Sequence, residues 1–257
     1  MKLEEYIPTE LLRPFIKSYR IVESEVEMTN RILPSTSLVA AFRYKGQVSY
    51  IADSKQEYLP ASTISGLRKS VRLIHYLPNS ATIIVLFKET GAKAFFSEPL
   101  YELFEESISL DTFIKRHTIE IIEEQLAEAQ NNIQRIAIIE QFLLSRLGSH
   151  TPDKLISTAV EIIHSTKGAI KIKELADTLY ISNDAFEKRF RKVVGTSPKQ
   201  FSSIIRMETI VTQKQQAENL AEIAFNAGYY DQSHFNKDFK LFTGQTPTAF
   251  YKSPNFW

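Results

Sequence analysis

Five polar side chains near the C-terminus fall on one face of a predicted helix. In the stretch 231–240, "DQSHFNKDFK", two phenylalanines lie one helical turn apart and predict a buried stripe. The face opposite that stripe carries Gln232, Ser233, Asn236, Lys237 and Lys240. Glutamine and asparagine can form paired hydrogen bonds with adenine, and lysine can donate to guanine or to a phosphate. This face could therefore contact nucleic acid, although an exposed, solvated helix face would also be polar.

A second copy of the same arrangement lies 49 residues upstream. Residues 186–201, "FEKRFRKVVGTSPKQF", and 235–250, "FNKDFKLFTGQTPTAF", are identical at six of sixteen positions. The shared phenylalanines form a buried stripe, the shared glycine lets the helix end in a left-handed turn, and Ser/Thr–Pro begins the next helix. Most shared positions set the architecture, while the outward residues differ between the copies except at Lys188 and Lys237.

The outward face of the upstream copy is more acidic. It carries Asn183, Asp184, Glu187, Lys188 and Arg191. Aspartate and glutamate can accept a hydrogen bond from cytosine, but they weaken attraction to phosphates, which leaves more of the contact to the downstream copy. Arg191, Lys192 and Lys240 lie farther along their helices and suit phosphates, as do the helix N-termini near Ser182 and Thr246.

Each copy follows another short amphipathic helix after a tight turn. These preceding helices are predicted at 172–180 and 220–228, and a connecting helix begins at Pro198. Two short helices joined by a tight turn form a helix-turn-helix unit. Two units on one rigid connecting helix could meet successive major-groove segments, which lie about 34 Å apart.

Residues 154–252 resemble the DNA-binding domain of AraC/XylS-family transcriptional regulators. The residues similar to the family's signature are Ile223, Ala224, Gly228, Tyr229, Asp231, Ser233, His234, Phe235, Lys237, Phe239, Lys240, Gly244, Thr246, Pro247 and Phe250. The sequence departs from the pattern at Tyr229, where phenylalanine is usual, at Lys237, where arginine is usual, and at Tyr251, where a basic residue often follows. The family pattern also implies that Asp231 caps its helix.

The N-terminal part reads as short strands. Between 31 and 87, "SLVAAF" leads through Lys45–Gly46 into "QVSYI", and "VRLIHYL" leads through "PNS" into "ATIIVLF". Apolar runs bounded by such turn residues predict β-hairpins, and their natural packing is a small barrel or sandwich. We therefore expect a two-domain α+β protein. Its small β-barrel or cupin-like domain with trailing helices precedes an all-α domain of two helix-turn-helix units joined by a linker helix.

Helical periodicity begins near Gly91. Residues 119–130 and 132–147 each place apolar side chains on one stripe, and they could pack on the barrel or pair with a second chain. The segment after Gly148, "SHTPD", is the best domain boundary. We expect a sensor or dimerisation domain at 1–148 and a DNA-binding domain at 153–257, with helix-turn-helix units at about 172–195 and 220–244.

Basic side chains in the strand-rich region could bind an anionic effector. The candidates are Arg43, Arg68, Lys69 and Arg72, although surface charges with no ligand would show the same pattern. A metal site is not expected, because there is no cysteine and the five histidines are isolated along the chain. No cofactor is expected.

Composition sets further limits. The net charge is +1, with −2 over residues 1–150 (17 Lys+Arg and 19 Asp+Glu) and +3 over 151–257 (14 and 11), a modest bias toward a polyanion. The lack of cysteine fits a reducing cytoplasm, and neither a signal peptide nor a membrane-spanning run is apparent.

The resemblance implies a sequence-specific DNA-binding regulator. Its expected partners are double-stranded DNA, a small-molecule effector, a second copy of the chain and, for an activator, RNA polymerase. Two alternatives remain: a helical protein-interaction protein without specific DNA binding, and an enzyme with a DNA-binding appendage. The enzyme is disfavoured because the chain lacks a nucleophilic cysteine, a G-x-S-x-G elbow, a phosphate loop and an H-E-x-x-H motif.

Overall fold

The computed structural model describes residues 1–52, 55–148, 152–213, 224–225, 228–229 and 231–252. In this part the chain forms a β-rich N-terminal domain with trailing helices and a helical C-terminal domain. Buried apolar side chains of both domains belong to one continuous cluster, which includes Tyr19 and Phe42 of the first and Phe190 and Phe239 of the second. The two domains therefore share a core rather than meeting only at their surfaces.

Ten strands form the N-terminal domain. They are β1 (Lys2–Tyr6), β2 (Ile16–Ser24), β3 (Met28–Ile32), β4 (Val39–Lys45), β5 (Val48–Ala52), β6 (Lys55–Tyr58), β7 (Ser62–Ser65), β8 (Arg72–Tyr76), β9 (Ser80–Phe87) and β10 (Ser107–Ser109). A six-stranded sheet has the order β1-β2-β9-β4-β7-β10, and a four-stranded sheet has the order β3-β8-β5-β6. All pairs are antiparallel.

The strands form two open sheets instead of the expected closed barrel. Among the described residues, β1 and β10 form the edges of the larger sheet, and β3 and β6 form those of the smaller sheet, so neither sheet closes on itself. The expected hairpins are also wrong. Strand β4 pairs with β7 and β9, whereas β5 pairs with β6 and β8. Strands β8 and β9 likewise belong to different sheets.

Each of these two connections is a corner that turns at a residue with a left-handed backbone and carries the chain into the other sheet. Gly46 (φ +65) turns the chain from β4 to β5, and Asn79 (φ 57) turns it from β8 to β9. The corners lie against each other, since a Cβ atom on Gly46 would be 2.7 Å from the Asn79 carbonyl oxygen. Glycine is required there because any side chain would meet backbone.

Helices follow the strands. After short 3-10 turns at Ala92–Ala94, Leu100–Leu103 and Leu110–Thr112, the helices are α1 (Arg116–Glu128), α2 (Asn132–Arg146), α3 (Lys154–Ser165), α4 (Ile172–Thr178), α5 (Asn183–Val194), α6 (Pro198–Gln213), α7 (Gln232–Thr243) and α8 (Pro247–Lys252). The helices predicted at 119–130 and 132–147 are confirmed as α1 and α2, with ends shifted by up to three residues. Strands β1 and β2 precede the predicted strand region and were missed. Within the described residues, no helix is long and apolar enough to span a membrane.

The predicted repeat is confirmed in α5 and α7. Helix α7 begins 49 residues after α5 begins and ends 49 residues after α5 ends. The Ser182 hydroxyl accepts from the Ala185 N–H at 3.4 Å, and the Asp231 carboxylate accepts from the His234 N–H at 2.7 Å. Both helices end at left-handed glycines, Gly195 and Gly244. The helix expected at 220–228 lies largely outside the described residues.

Candidate nucleic-acid interface

Phenylalanine pairs fix the orientation of α5 and α7. The Phe186 and Phe190 rings are 5.7 Å apart in α5, and the Phe235 and Phe239 rings are 5.6 Å apart in α7. All four side chains are buried, and they hold the same side of each helix against the core. The opposite side of both helices is therefore left to solvent or to a partner.

The outward residues lie where the pattern predicts. Glu187 is half-exposed, and the others are exposed: Ser182, Asn183, Asp184, Lys188, Arg191 and Lys192 with α5, Gln232, Ser233, Asn236, Lys237 and Lys240 on α7, and Thr246 before α8. No described ion pair involves Lys237 or Lys240. The α7 face thus presents two lysines with paired-donor amides close to its N-terminus, a combination that suits base edges and phosphates.

The face of α5 is partly neutralised within the helix. The Arg191 guanidinium donates to the Glu187 carboxylate through Nε at 3.0 Å and Nη2 at 2.9 Å. Asp184 lies in the first helical turn, where a negative charge stabilises the helix dipole. The sequence placed both Glu187 and Arg191 among the DNA contacts, but it did not indicate that they bind each other.

Arg189, which the sequence analysis did not select, anchors α5. Its guanidinium donates to both carboxylate oxygens of Asp153, at 2.6 and 3.0 Å, and Asp153 also caps α3 by accepting from the Ile156 N–H. Burial alone would raise the pKa of Asp153, but these hydrogen bonds outweigh it and hold that pKa below its ordinary value. This contact ties α5 to α3.

A polar cluster anchors α7 in a similar way. The Tyr229 hydroxyl donates to the Asp238 carboxylate at 3.1 Å, and the Tyr229 ring packs edge-on against His234. Nε2 of His234 lies 3.5 Å from the same carboxylate. His234 therefore has a structural contact with the residues that hold α7 in place. Tyrosine, where the family pattern has phenylalanine, supplies the hydroxyl for this cluster.

The N-terminal domain contacts the carboxyl ends of both helices. The Val71 N–H donates to the Leu241 carbonyl at 3.2 Å, so the N-terminal domain satisfies one of the free carbonyls at the end of α7. At the end of α5, a Cβ atom on Gly195 would be 3.0 Å from the Leu100 carbonyl oxygen. The N-terminal turns of α5 and α7 stay exposed.

Two of the candidate ligand residues, Arg43 and Arg72, already have contacts within the protein. Arg43 donates to the carbonyls of Gly46 and Leu59, whereas Arg72 donates to the Ser107 hydroxyl and lies over the Tyr50 ring. Arg68 lies near Arg72. Burial, and then the positive charge of Arg72, lowers the pKa of Arg68 to about 10.

Lys69 lines a cavity of about 160 Å³ against α6 and α7, which is small beside the roughly 300–1,000 Å³ of ordinary ligand pockets. Among the described residues, no cluster of His, Cys, Asp or Glu could hold a metal ion.

Comparisons with known proteins match an N-terminal and a C-terminal part of the chain to different families. Residues 175–253 match the family model "Helix-turn-helix domain", and residues 4–109 match a "Domain of unknown function (DUF6597)". The Msm operon regulatory protein of Streptococcus mutans is 30% identical over 120 residues, which cover 45% of this chain and 43% of that protein. An AraC-like transcription regulator of Streptomyces lividans is 29% identical over 104 residues, covering 40% of this chain and 34% of that one.

The C-terminal region matches a helix-turn-helix domain and is similar to AraC-like transcription regulators. The matched stretches span less than half of these two relatives. Both relatives are named as regulators, which is the function class that the sequence favoured.

Two solved structures similar to the chain share less sequence identity with it than these two relatives do. ToxT from Vibrio cholerae has a TM-score of 0.46 and 11% identity, covering 90% of this chain and 96% of that one. The C-terminal domain of AraT from Geobacillus stearothermophilus has a TM-score of 0.37 and 21% identity, covering 40% of this chain and 87% of that one.

Proposed function

We propose that the protein is a sequence-specific DNA-binding transcription regulator whose helices α5 and α7 read adjacent major-groove segments. The observation that carries the proposal is the repeat of α5 in α7, with matching bounds, matching caps and buried phenylalanines on the same side. Apart from the lysine shared at 188 and 237, the outward residues of the two helices differ, as readers of two different DNA segments should. The domains proposed are 1–148 and 153–257, with helix-turn-helix units at 172–195 and 220–244.

The regulatory role rests on the N-terminal domain. Its contacts at the carboxyl ends of α5 and α7 support a sensor or dimerisation domain that biases how the reading helices sit on DNA. Arg68 and Arg72 are the proposed binding residues for an anionic effector, because no described hydrogen bond involves the Arg68 side chain and Arg72 lies near it. Exposed Ile121 and Ile133 on α1 and α2 support dimerisation there. A regulator of this kind acts in the cytoplasm, and an activator would also contact RNA polymerase.

Selection from a random-sequence duplex library, followed by titration at several salt concentrations, tests DNA binding. We expect affinity to fall with salt at a log–log slope of several units, because each neutralised phosphate contributes about 0.9.

Replacing Gln232 with alanine should weaken binding to the selected site by about 1–3 kcal/mol and leave a scrambled duplex unaffected. A replacement of Lys237 that weakens both duplexes equally would make Lys237 a phosphate contact. Binding that is insensitive to salt would favour the protein-interaction alternative.

The ion pair on α5 gives a second prediction. Replacing Glu187 with glutamine removes a negative charge from the outward face and frees the Arg191 guanidinium. We expect tighter binding to every duplex and a salt slope steeper by about one unit, because one more cation becomes available to phosphates. Replacing Glu161, an exposed glutamate on α3, with glutamine is the matched control. A loss of affinity confined to the selected site would instead show that Glu187 accepts from a base.

A further inference from the structure

The turn between α4 and α5 places a tyrosine where helices usually carry glycine. Tyr180 has φ +54, its N–H donates to the Asp177 carbonyl, and the next N–H, of Ile181, donates to the Ala176 carbonyl, both at 3.1 Å. This pair of hydrogen bonds is the Schellman motif, and its left-handed position suits glycine because a Cβ atom crowds the following carbonyl. A bulky residue in this conformation carries a backbone cost.

The same motif in the second unit contains glycine. There the Gly228 N–H donates to the Phe225 carbonyl and the Tyr229 N–H to the Ala224 carbonyl, with Gly228 at φ +82. By these hydrogen bonds, Tyr180 occupies the same place in its turn as Gly228 does in the second turn. The 49-residue shift that relates the helices would instead match Tyr180 with Tyr229, the residue after Gly228. The tyrosine of the second unit, Tyr229, is buried and bonded to Asp238.

Nothing in the described part of the chain offsets the backbone cost at Tyr180. Its side chain is 98% exposed, and no described hydrogen bond or ring contact involves it. The other non-glycine residues with left-handed backbones are Asn79, Glu105 and Lys167. Asparagine tolerates the conformation, and the Glu105 carboxylate accepts from the Lys69 N–H and the Ser70 hydroxyl. Lys167 is also exposed and occupies the same motif after α3, so an exposed long side chain can be accommodated there.

The position of Tyr180 relates it to the proposed reading face. It lies two residues before Ser182, the cap of α5, and Asn183 and Asp184 at the start of that helix are exposed. When a helix-turn-helix unit binds a duplex, the N-terminal end of its second helix enters the major groove while the first helix crosses the DNA backbone. The turn between the two helices therefore lies close to the phosphates that border the groove.

We propose that Tyr180 is a positioning residue for DNA binding, whose hydroxyl donates to a backbone phosphate beside the groove that α5 enters. The proposal rests on the function proposed above. Tyrosine hydroxyls are among the usual phosphate donors, and a neutral donor adds no positive charge. The first unit gains from a further phosphate donor, since Asp184 and the Glu187–Arg191 pair leave its reading face with less net positive charge than that of α7.

Two variants separate this role from a structural one. Tyr180→Gly relieves the backbone cost and should raise the Tm by about 1–3 °C, after allowing for the extra freedom of the unfolded chain. The same variant should raise the Kd about tenfold on the selected duplex and on a scrambled one, because a hydrogen bond to a charged phosphate is lost. Tyr180→Phe should leave the Tm unchanged and raise the Kd to a similar extent.

The salt dependence and a control variant complete the experiment. Both variants should keep the wild-type log–log slope, because a hydroxyl releases no counterion. Asn79→Gly makes the corresponding backbone change in the N-terminal domain and should leave the Kd unchanged. Wild-type affinity in both Tyr180 variants overturns the proposal, and it is also the result expected if Tyr180 docks a protein. Weak binding by Tyr180→Gly alone overturns the hydroxyl contact. If the wild-type protein binds no duplex, the proposed function fails as well.

Discussion

Replacing Phe239 with alanine is expected to lower the free energy of unfolding by about 3–5 kcal/mol. The Phe239 side chain is fully buried in α7, and its ring lies 5.6 Å from Phe235, 5.5 Å from Phe250 and 5.7 Å from Tyr251. Truncation leaves a cavity among three aromatic rings on two helices, and such sites collapse poorly. Urea unfolding followed by far-ultraviolet circular dichroism measures the loss.

The repeat supplies a matched variant for this prediction. Phe190 occupies the same position in α5, also fully buried, with its ring 5.7 Å from Phe186 and 5.4 Å from Phe201. We expect Phe190→Ala to cost a similar amount. Replacing the exposed Lys240 on α7 with alanine should change the free energy of unfolding by no more than about 0.5 kcal/mol. A loss below about 1 kcal/mol in Phe239→Ala would show that the phenylalanine stripe does not hold α7 to the core.

The helices of the DNA-binding domain could be predicted because their signals are local. Ser182 and Asp231 cap the N-termini and Gly195 and Gly244 end the helices, all within one turn of the residues that they affect. The phenylalanine stripe then decides which face is exposed. The outward residues of the candidate site could therefore be identified from spacing alone.

The pairing of the strands could not be predicted in the same way. Gly46 resembles a hairpin turn in the sequence, and only contact with the second corner at Asn79 shows that it sends the chain into another sheet. Strand β2 was missed because six of its nine residues are buried, so it lacks the alternation of a half-exposed strand. Both features depend on partners far away in the sequence.

Contacts between the domains leave still less trace in the sequence. The hydrogen bond from Val71 to Leu241 joins backbone groups, which every residue possesses. The Glu187–Arg191 pair has the i, i+4 spacing that a helix predicts, but spacing alone does not say whether the two side chains bind each other or a ligand. The strained backbone of Tyr180 becomes evident only once the end of α4 is known.

A half-buried carboxyl group between the domains gives the second large prediction. Burial raises the pKa of Glu208 on α6 to about 7, from an ordinary value of 4.5. The charged groups that act on it are Lys17 of β2, His164 of α3 and Glu89, which follows β9. Nε2 of His164 lies 3.1 Å from the Glu89 carboxylate, so this ion pair also joins the domains. Glu208 therefore lies beside a polar contact between the domains.

Replacing Glu208 with glutamine is expected to stabilise the protein above pH 7 and to have little effect near pH 4.5. Below pH 4.5 the carboxyl is protonated in both states. Between pH 4.5 and 7 it ionises only when unfolded, so stability falls as the pH rises. Above pH 7 both states are ionised and the penalty is constant at about 3 kcal/mol, given about 1.36 kcal/mol for each of the roughly 2.5 pKa units between 4.5 and 7. Glutamine mimics the protonated group and removes this loss.

Urea unfolding of the wild type and of Glu208→Gln from pH 5 to 8.5 measures the difference. Titrating groups that do not interact with Glu208 are present in both proteins, so their contributions cancel in that difference. Glu161→Gln, which alters an exposed carboxylate on α3, should show a difference that is flat with pH. A flat difference for Glu208→Gln as well would place its carboxyl in water. A difference that grows as the pH rises from 5 to 7 would show that Glu208 holds its proton more tightly in the folded protein than in the unfolded chain.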